Sequence, residues 1–323
     1  MNHHWYASNL EVTVSEAFRR CAAWSDLSLR GRLRATGEDR TRLLHAICSN
    51  DIAGLSPGQG TYAFFLSAQG KIQADSYIFV DDDCVEIDCE PTTVDALRQH
   101  IEGYIIMDDV VLETVSSETA RFGIAGPEAA GIVRAIGLPT PAGRLTFLRN
   151  GTTCVRQALV AGRDGFWIEV PAAEAPDLTN RLLSAGALNA TAQECEATRV
   201  RMGVPRFGAD FGPANIPHET QQFCAVSFTK GCYTGQEIVE RVRSLGRVRR
   251  LLVGIELDSD SMPTETVVRH QGSAVGEMTS ATPGCGPADK ARGFSIVRRE
   301  AADPGTPVHV GDTPGVVIDV ARH

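Results

Sequence analysis

Beyond Arg250 the helical spacing of apolar residues stops, and this break constrains the fold more than any other feature of the sequence. Residues 251–257, 267–270, 274–278, 294–297, 308–310 and 316–320 are short β-like runs separated by Gly- and Pro-containing turns. Short strands with such punctuation close into a small β-barrel or pack as a sandwich. Ahead of the break, strands and helices mix without a βαβα rhythm, which places the chain in the α+β class. A length of 323 residues leaves room for two or three folding units. The boundary is predicted near Arg241 to Arg250, with no low-complexity linker, so the two parts should pack together.

The first part reads as follows. Residues 33–48 contain a predicted helix, with Leu43, Leu44, Ile47 and Cys48 on one face and Thr36 with Asp39 as a capping box. Strands at 61–66 and 72–80 are joined by a turn at 67–70, and Asp81-Asp82-Asp83 turns the chain into a strand at 84–89. The spacing of a calcium-binding EF-hand loop is absent there. Residues 91–104 read as a helix, 110–115 and 121–125 as strands, and Gly126-Pro127 as a helix start. A hairpin is predicted from 154–160 and 165–170, turning at Arg163-Asp164-Gly165. Helices follow at 175–184 and 193–202.

Composition excludes several classes. The formal charge of −9 argues against a broad nonspecific nucleic-acid surface, which Lys and Arg would have to carry. No apolar run approaches the roughly 20 residues that span a bilayer, and the N-terminus lacks the basic and apolar regions of a signal peptide. A cytoplasmic protein is expected, with no membrane association and no direct nucleic-acid binding. The 9 cysteines are odd in number and include no Cys-x-x-Cys pair, so neither a disulfide framework nor a zinc site is supported. His3 and His4 are an adjacent pair in a terminus, read as solvent-exposed rather than metal-binding. No metal site is expected.

The chemistry concentrates in Lys230-Gly231-Cys232-Tyr233-Thr234-Gly235-Gln236-Glu237. Thr234 and Glu237 have capping-box spacing, and Ile238, Val239 and Val242 supply an apolar helix face. Cys232 then precedes a helix N-terminus, where unpaired N–H groups favour negative charge, and Lys230 adds a cation nearby. Both effects would lower a thiol pKa, making Cys232 the candidate reactive thiolate. The alternative is a buried cysteine packed under the helix. Arg241, Arg243, Arg247, Arg249 and Arg250 follow as a basic cluster. It reads either as an anion or acidic-partner site or as a solvated interdomain connection.

This segment resembles the signature of YgfZ-type proteins, which belong with the T-protein of the glycine cleavage system in a folate-binding aminomethyltransferase superfamily. The resemblance extends over most of the chain. It includes Asp51-Ile52, Leu55-Ser56-Pro57-Gly58-Gln59-Gly60, Tyr62-Ala63, Gly70-Lys71-Ile72 with Asp75, Arg199, Gly203-Val204-Pro205 and Pro217-His218-Glu219. Gly272, Gly276 and Thr279-Ser280 resemble the superfamily's C-terminal barrel. The resemblance implies a ring of two α+β folate-binding subdomains, over 1–245, closed by a C-terminal β-barrel over 246–323. Tetrahydrofolate or a derivative would lie in the central hole, and on one reading the basic cluster of Arg241, Arg243, Arg247, Arg249 and Arg250 would take its polyglutamate tail. Tyr62, Asp75, Arg199, Glu219, Lys230, Tyr233, Gln236, Glu237 and Arg241 are the implied folate-binding residues, with Asp75 and Cys232 as the candidate catalytic groups.

Asp75 matches the second member of an Asp-Asp pair, but Ala74 stands where the first would be. Arg201 replaces the usual Glu of an Arg-x-Glu-x-Gly block, and a guanidinium cannot keep an acceptor role. The resemblance therefore implies an accessory factor for assembly or repair of iron–sulfur cluster proteins, indirectly supporting tRNA modification. Its partners would be folate and iron–sulfur client or assembly proteins. An aminomethyltransferase of T-protein type is the alternative, and a folate-free scaffold a third.

Overall fold

The computed structural model describes residues 13–246, 248–285 and 289–321. His3, His4 and Arg247 lie outside them. In chain order the first half comprises α1 (Val14–Arg20), β1 (Ala23–Asp26), β2 (Gly31–Thr36), α2 (Arg40–Ile47), β3 (Gln59–Leu66), β4 (Ile72–Val80), β5 (Val85–Cys89), α3 (Val94–Glu102), β6 (Val111–Thr114), β7 (Thr119–Ala125), α4 (Ala129–Ala135), β8 (Phe147–Asn150), β9 (Thr153–Val160) and β10 (Arg163–Pro171). Then come α5 (Ala175–Ser184), β11 (Leu188–Asn189), α6 (Ala192–Arg201), α7 (Pro217–Thr220) and α8 (Gln236–Leu245). Strands β12 (Arg250–Leu257), β13 (Val267–His270), β14 (Ser273–Thr282), β15 (Arg292–Arg298), β16 (Pro307–Val310) and β17 (Thr313–Ile318) finish the chain.

Three sheets result. One runs β3-β4-β5-β2-β6 and another β11-β1-β7-β10-β9-β8; β12-β15-β14-β13-β16-β17 close into a barrel. The architecture is the expected α+β arrangement of two sheet-rich subdomains and a C-terminal β-barrel.

The helix predicted within 33–48 is α2, but it starts only at Arg40, and residues 31–36 form strand β2. Leu33 and Ala35 are fully buried and alternate with Arg32 and Arg34, the period-two pattern of a strand. Gly37 ends that strand in the left-handed region (φ 98), and a side chain there would strike the Asp109 backbone. Asp39, not Thr36, caps α2, and its side chain makes no capping bond. The predicted turn at 163–165 also moves. Val160 pairs with Arg163, so the connection is Ala161-Gly162, both at positive φ (50 and 77) as a two-residue hairpin loop demands.

Each half-sheet buries one face on its own helices: Leu43, Leu44, Leu97 and Ile101 under the first, Ile132, Val133, Leu178 and Leu182 under the second. Between the sheets, Phe18, Phe79, Phe147, Val160 and Trp167 form a further core. Burial of each such side chain contributes roughly 1.5–3 kcal/mol. Polar groups share that interlayer. Glu169 accepts from Arg32 (3.0 Å), Arg121 (2.6 Å) and Arg156 (3.3 Å), and Asp88 pairs with Arg121 and with Arg30 (2.5 Å). Burial alone would push the Glu169 carboxyl up, but the three guanidiniums outweigh it and hold it well below its ordinary range. These pairs tie β2 and β5 of one sheet to β7, β9 and β10 of the other.

Candidate active site

A cavity of about 1000 Å³ opens between the two sheets and α6. Strand β4 shows how the fold builds its wall. Ala74 and Ile78 point into the helical core, whereas Asp75 and Tyr77 alternate to the other face and line the cavity. The position that lacks an acid, Ala74, is thus buried away from the cavity.

On β3, Tyr62 donates its hydroxyl to Asp75 Oδ2 at 2.7 Å. Burial raises the Asp75 carboxyl to about 6; the Tyr62 bond opposes this, Glu90 adds to it, and Arg30 opposes it. Tyr62 lies 5.1 Å from Tyr77, which meets the Trp167 ring edge-on at 5.1 Å, and the Arg30 guanidinium stands 5.4 Å over Trp167. The result is an aromatic wall with one proton-exchanging carboxyl. Such a wall can hold a flat heteroaromatic ring, and Asp75 can give or take a proton beside it near neutral pH. Trp24 is buried at the cavity's edge, packed edge-on against Phe122 at 5.6 Å.

Arg199 also lines the cavity, yet all five of its N–H donors are engaged. They reach Glu196 (2.9 and 2.5 Å), Asp210 (2.7 Å), Ser280 Oγ (2.8 Å) and the Val204 carbonyl. Arg199 therefore latches α6 to barrel strand β14. Glu219 lies outside the cavity lining. Its carboxylate accepts from Asn215 (2.9 Å) and the Ile216 N–H, and faces Arg250 at 3.4 Å. Its carboxylate thus faces α7 and the barrel. Arg201 points outward too, pairing with Asp289 and the Pro283 carbonyl.

The signature segment stands apart from the cavity: Cys232, Lys230, Tyr233, Gln236, Glu237 and Arg241 contribute nothing to its lining. Lys230 Nζ donates to the carbonyls of His45, Cys48 (2.8 Å) and Asn50 (2.8 Å), at the C-terminal end of α2. All three ammonium protons are used there, where the helix dipole favours a cation. Burial lowers the Lys230 pKa. The donors of Lys230 thus go to the end of α2, and none goes to Cys232.

The Thr234–Glu237 capping box is absent as well. Gly235 (φ 81) caps α8 with no side-chain bond, and the Thr234 N–H donates to Ala46 O at 3.1 Å. A Cβ on Gly235 would lie 2.6 Å from Ser67 O and 3.1 Å from Gly70 Cα. The glycine lets the loop close on the β3–β4 hairpin tip. Tyr233 is buried, Gln236 and Glu237 open α8, and Cys232 is exposed. Arg241 is exposed; Arg243 stacks 4.3 Å over Phe228 and pairs with Glu240 at 3.4 Å. The cluster is thus in part a solvated, internally paired surface.

Sequence reasoning missed Tyr77, Trp167, Trp24 and Arg30. Nothing in their local spacing separates them from core residues. Only the strand register, with Tyr62 opposite Tyr77, brings them together. Among the described residues no group of three His, Cys, Asp or Glu could hold a metal ion. None of their helices is long and apolar enough to cross a membrane.

Comparison with known proteins agrees with this architecture. A chloroplastic protein of Arabidopsis thaliana, provisionally named a transferase, is 26% identical over 314 residues, covering 94% of this chain and 72% of its own. An aminomethyltransferase of Geobacillus kaustophilus is 28% identical over 315 residues, covering 91% and 84%. The crystal structure of the glycine cleavage system aminomethyltransferase T from Bartonella henselae superposes with a TM-score of 0.85 at 19% identity, over 95% of this chain and 88% of that one, which shows the shared fold. The family described as the GCVT N-terminal domain matches residues 4–230, more than half of the 323, and the chain belongs to that family.

Proposed function

We propose that this protein binds tetrahydrofolate or a derivative in the Asp75–Tyr62 cavity and acts in the YgfZ-type branch, as an accessory factor for assembly or repair of iron–sulfur cluster proteins. In that reading residues 1–245 form the folate-binding region and 246–323 the closing barrel, and tRNA modification is supported indirectly. Aminomethyltransferases of the GCVT family use tetrahydrofolate. The observation that carries folate binding is the aromatic wall of Tyr62, Tyr77 and Trp167 beside the half-buried Asp75 carboxyl. Its cavity reaches the upper end of the roughly 300–1000 Å³ that ligand pockets span.

Folate, when bound, supplies nitrogen atoms that carry one-carbon units. The protein's share is to stack the ring and to hold or release a proton at Asp75. Exposed Cys232 supports the accessory role, because a thiol on the outer loop is open to a partner protein. A second reading, aminomethyl transfer, is favoured by the relatives' names and by the proton-exchanging Asp75 in the cavity.

Thermal unfolding with tetrahydrofolate tests the binding. A ligand held only by the native state at a hundred times its Kd adds about 2.7 kcal/mol, so the melting point must rise. An unchanged melting point would sink the folate reading. Turnover of a lipoyl-bound aminomethyl donor by the purified chain would favour the second reading over the first.

A further inference from the structure

The cavity wall carries four guanidinium groups, on Arg30, Arg144, Arg199 and Arg206. Three are neutralised where they stand. Arg30 pairs with Asp88 (2.5 Å) and Glu90 (2.8 Å), Arg199 with Glu196 and Asp210, and Arg206 with Glu196 at 3.5 Å. Arg144 makes no hydrogen bond or ion pair among the described residues. The wall's acids are all directed elsewhere: Asp75 to Tyr62, Glu90 to Arg30, Glu196 to Arg199, and Asp26 to the Ser28 N–H.

The backbone around Arg144 is unusual. It lies between Gly143 (φ 108) and Leu145 (φ 53), and a leucine in the left-handed region is strained. The strand below holds that strain in place. The Leu145 N–H donates to both the main-chain and side-chain carbonyls of Gln157, each at 3.1 Å, while Gln157 N–H returns a 2.8 Å bond to Thr146. Burial pushes the Tyr77 hydroxyl well above its ordinary range, while Arg30 and Arg144 draw it back, so the Arg144 charge lies close to the aromatic wall. Strained loops that present one polar group are concentrated at ligand sites.

We infer that Arg144 is the anion-recognition residue of this cavity and binds the carboxylate tail of its ligand, which for a folate is the glutamyl group. The inference rests on the folate reading and makes it more specific: the ring is held by Tyr62, Tyr77 and Trp167, and the tail by Arg144. A planar guanidinium with every donor free suits a carboxylate.

Calorimetric titration of the full chain tests this with two probes: 5-formyltetrahydrofolate, which has the glutamyl tail, and 6-methyltetrahydropterin, which lacks it. Wild type should bind the folate at least tenfold more tightly, and added salt should shrink that preference. Arg144→Gln should raise the folate Kd about tenfold and leave the pterin Kd within twofold. Arg144→Lys should recover part of the loss, as a cation without the planar fork. Arg144 is exposed, so both variants should melt with the wild type. Unchanged folate affinity in Arg144→Gln, or a wild type that binds pterin as tightly as folate, overturns tail recognition alone. A wild type that binds neither probe overturns the folate reading with it.

Discussion

The cavity and the signature loop are built on opposite principles. The cavity is assembled from side chains far apart in sequence: Trp24, Tyr62, Asp75, Arg144 and Trp167 come from five separate segments. The signature loop is one continuous stretch, and its distinctive residues mostly serve its own docking. Lys230 closes the end of α2, Gly235 lets the chain lie against Ser67 and Gly70, and Tyr233 is buried; Cys232 faces outward, as do Gly231 and Glu237. The most recognisable segment of a chain can therefore identify its fold without forming its cavity. Asn50 joins the two regions, donating to the carbonyls of Tyr62 and Cys224 (both 2.8 Å) while its own carbonyl accepts from Lys230.

The strongest way to break this comparison is to loosen one region and watch the other. Glu169→Gln leaves the buried Arg32 without a carboxylate, while Arg121 keeps Asp88 and Arg156 keeps Glu86, and should cost about 3–5 kcal/mol by denaturant unfolding. Ligand binding should fall with it, while exchange protection of the loop amides persists under native conditions. The pH sign follows from the depressed carboxyl pKa. Its stabilisation is complete above the unfolded value of about 4.3 and is lost as pH falls through the lower native value. Wild type should therefore weaken in acid where the Gln variant is flatter. Equal acid profiles would deny Glu169 this role.

Lys230→Met is the converse and should be smaller, roughly 2–3 kcal/mol, at about one net hydrogen bond per carbonyl lost. Exchange should accelerate at the α2 end and in the loop, and the Asp75 titration should stay in place. A shift in that titration would show that the two regions are coupled through Asn50.

Much of the scaffold was legible in the sequence. The C-terminal strands, β4 and α5 follow from period and turn chemistry alone, since their apolar residues alternate or recur over enough positions to be read locally; closure of those strands as a barrel rather than a sandwich came with the family resemblance. The failures have a common cause. The helix within 33–48 starts later than a cap at Thr36 would put it, because Gly37 marks the break locally while what it avoids is the distant Asp109 backbone. The capping box at Thr234 fails because α2, nearly 200 residues earlier, takes the Thr234 N–H. Tyr62 and Asp75 were picked out through the family's motif, and both line the cavity, but the hydrogen bond between them was not foreseen. Tyr77, Trp167 and Arg144 were not, because only register and a strained loop bring them to the same cavity.

Asp75 offers a subtler contrast, because its pH dependence has the opposite sign from that of Glu169. Its native pKa is raised, to about 6, so the folded state keeps a proton that the unfolded chain releases at about 3.9. The stability this group contributes is present below that unfolded value and is lost as pH rises through about 6. Asp75→Asn should flatten the profile between about pH 4 and 6. Tyr62→Phe should move the inflection upward, since the hydroxyl donates to the ionised carboxylate. An inflection that stays put in Tyr62→Phe would mean that the hydrogen bond does not tune the acid.

The smallest structural effect should come from the most conspicuous residue. Cys232 is exposed, so Cys232→Ala should change stability by no more than about 0.5 kcal/mol and leave the tetrahydrofolate Kd unaltered. Cys195, by contrast, lines the cavity. Alkylation with iodoacetamide, read by mass spectrometry, separates the two thiols: bound folate should protect Cys195 and leave the rate at Cys232 unchanged. In cells, Cys232→Ala should lower the activity of iron–sulfur enzymes although folate binding is intact. Protection of Cys232 by folate would merge the two regions into one site; full cellular activity of Cys232→Ala would leave the loop as a docking element and remove its thiol from the function.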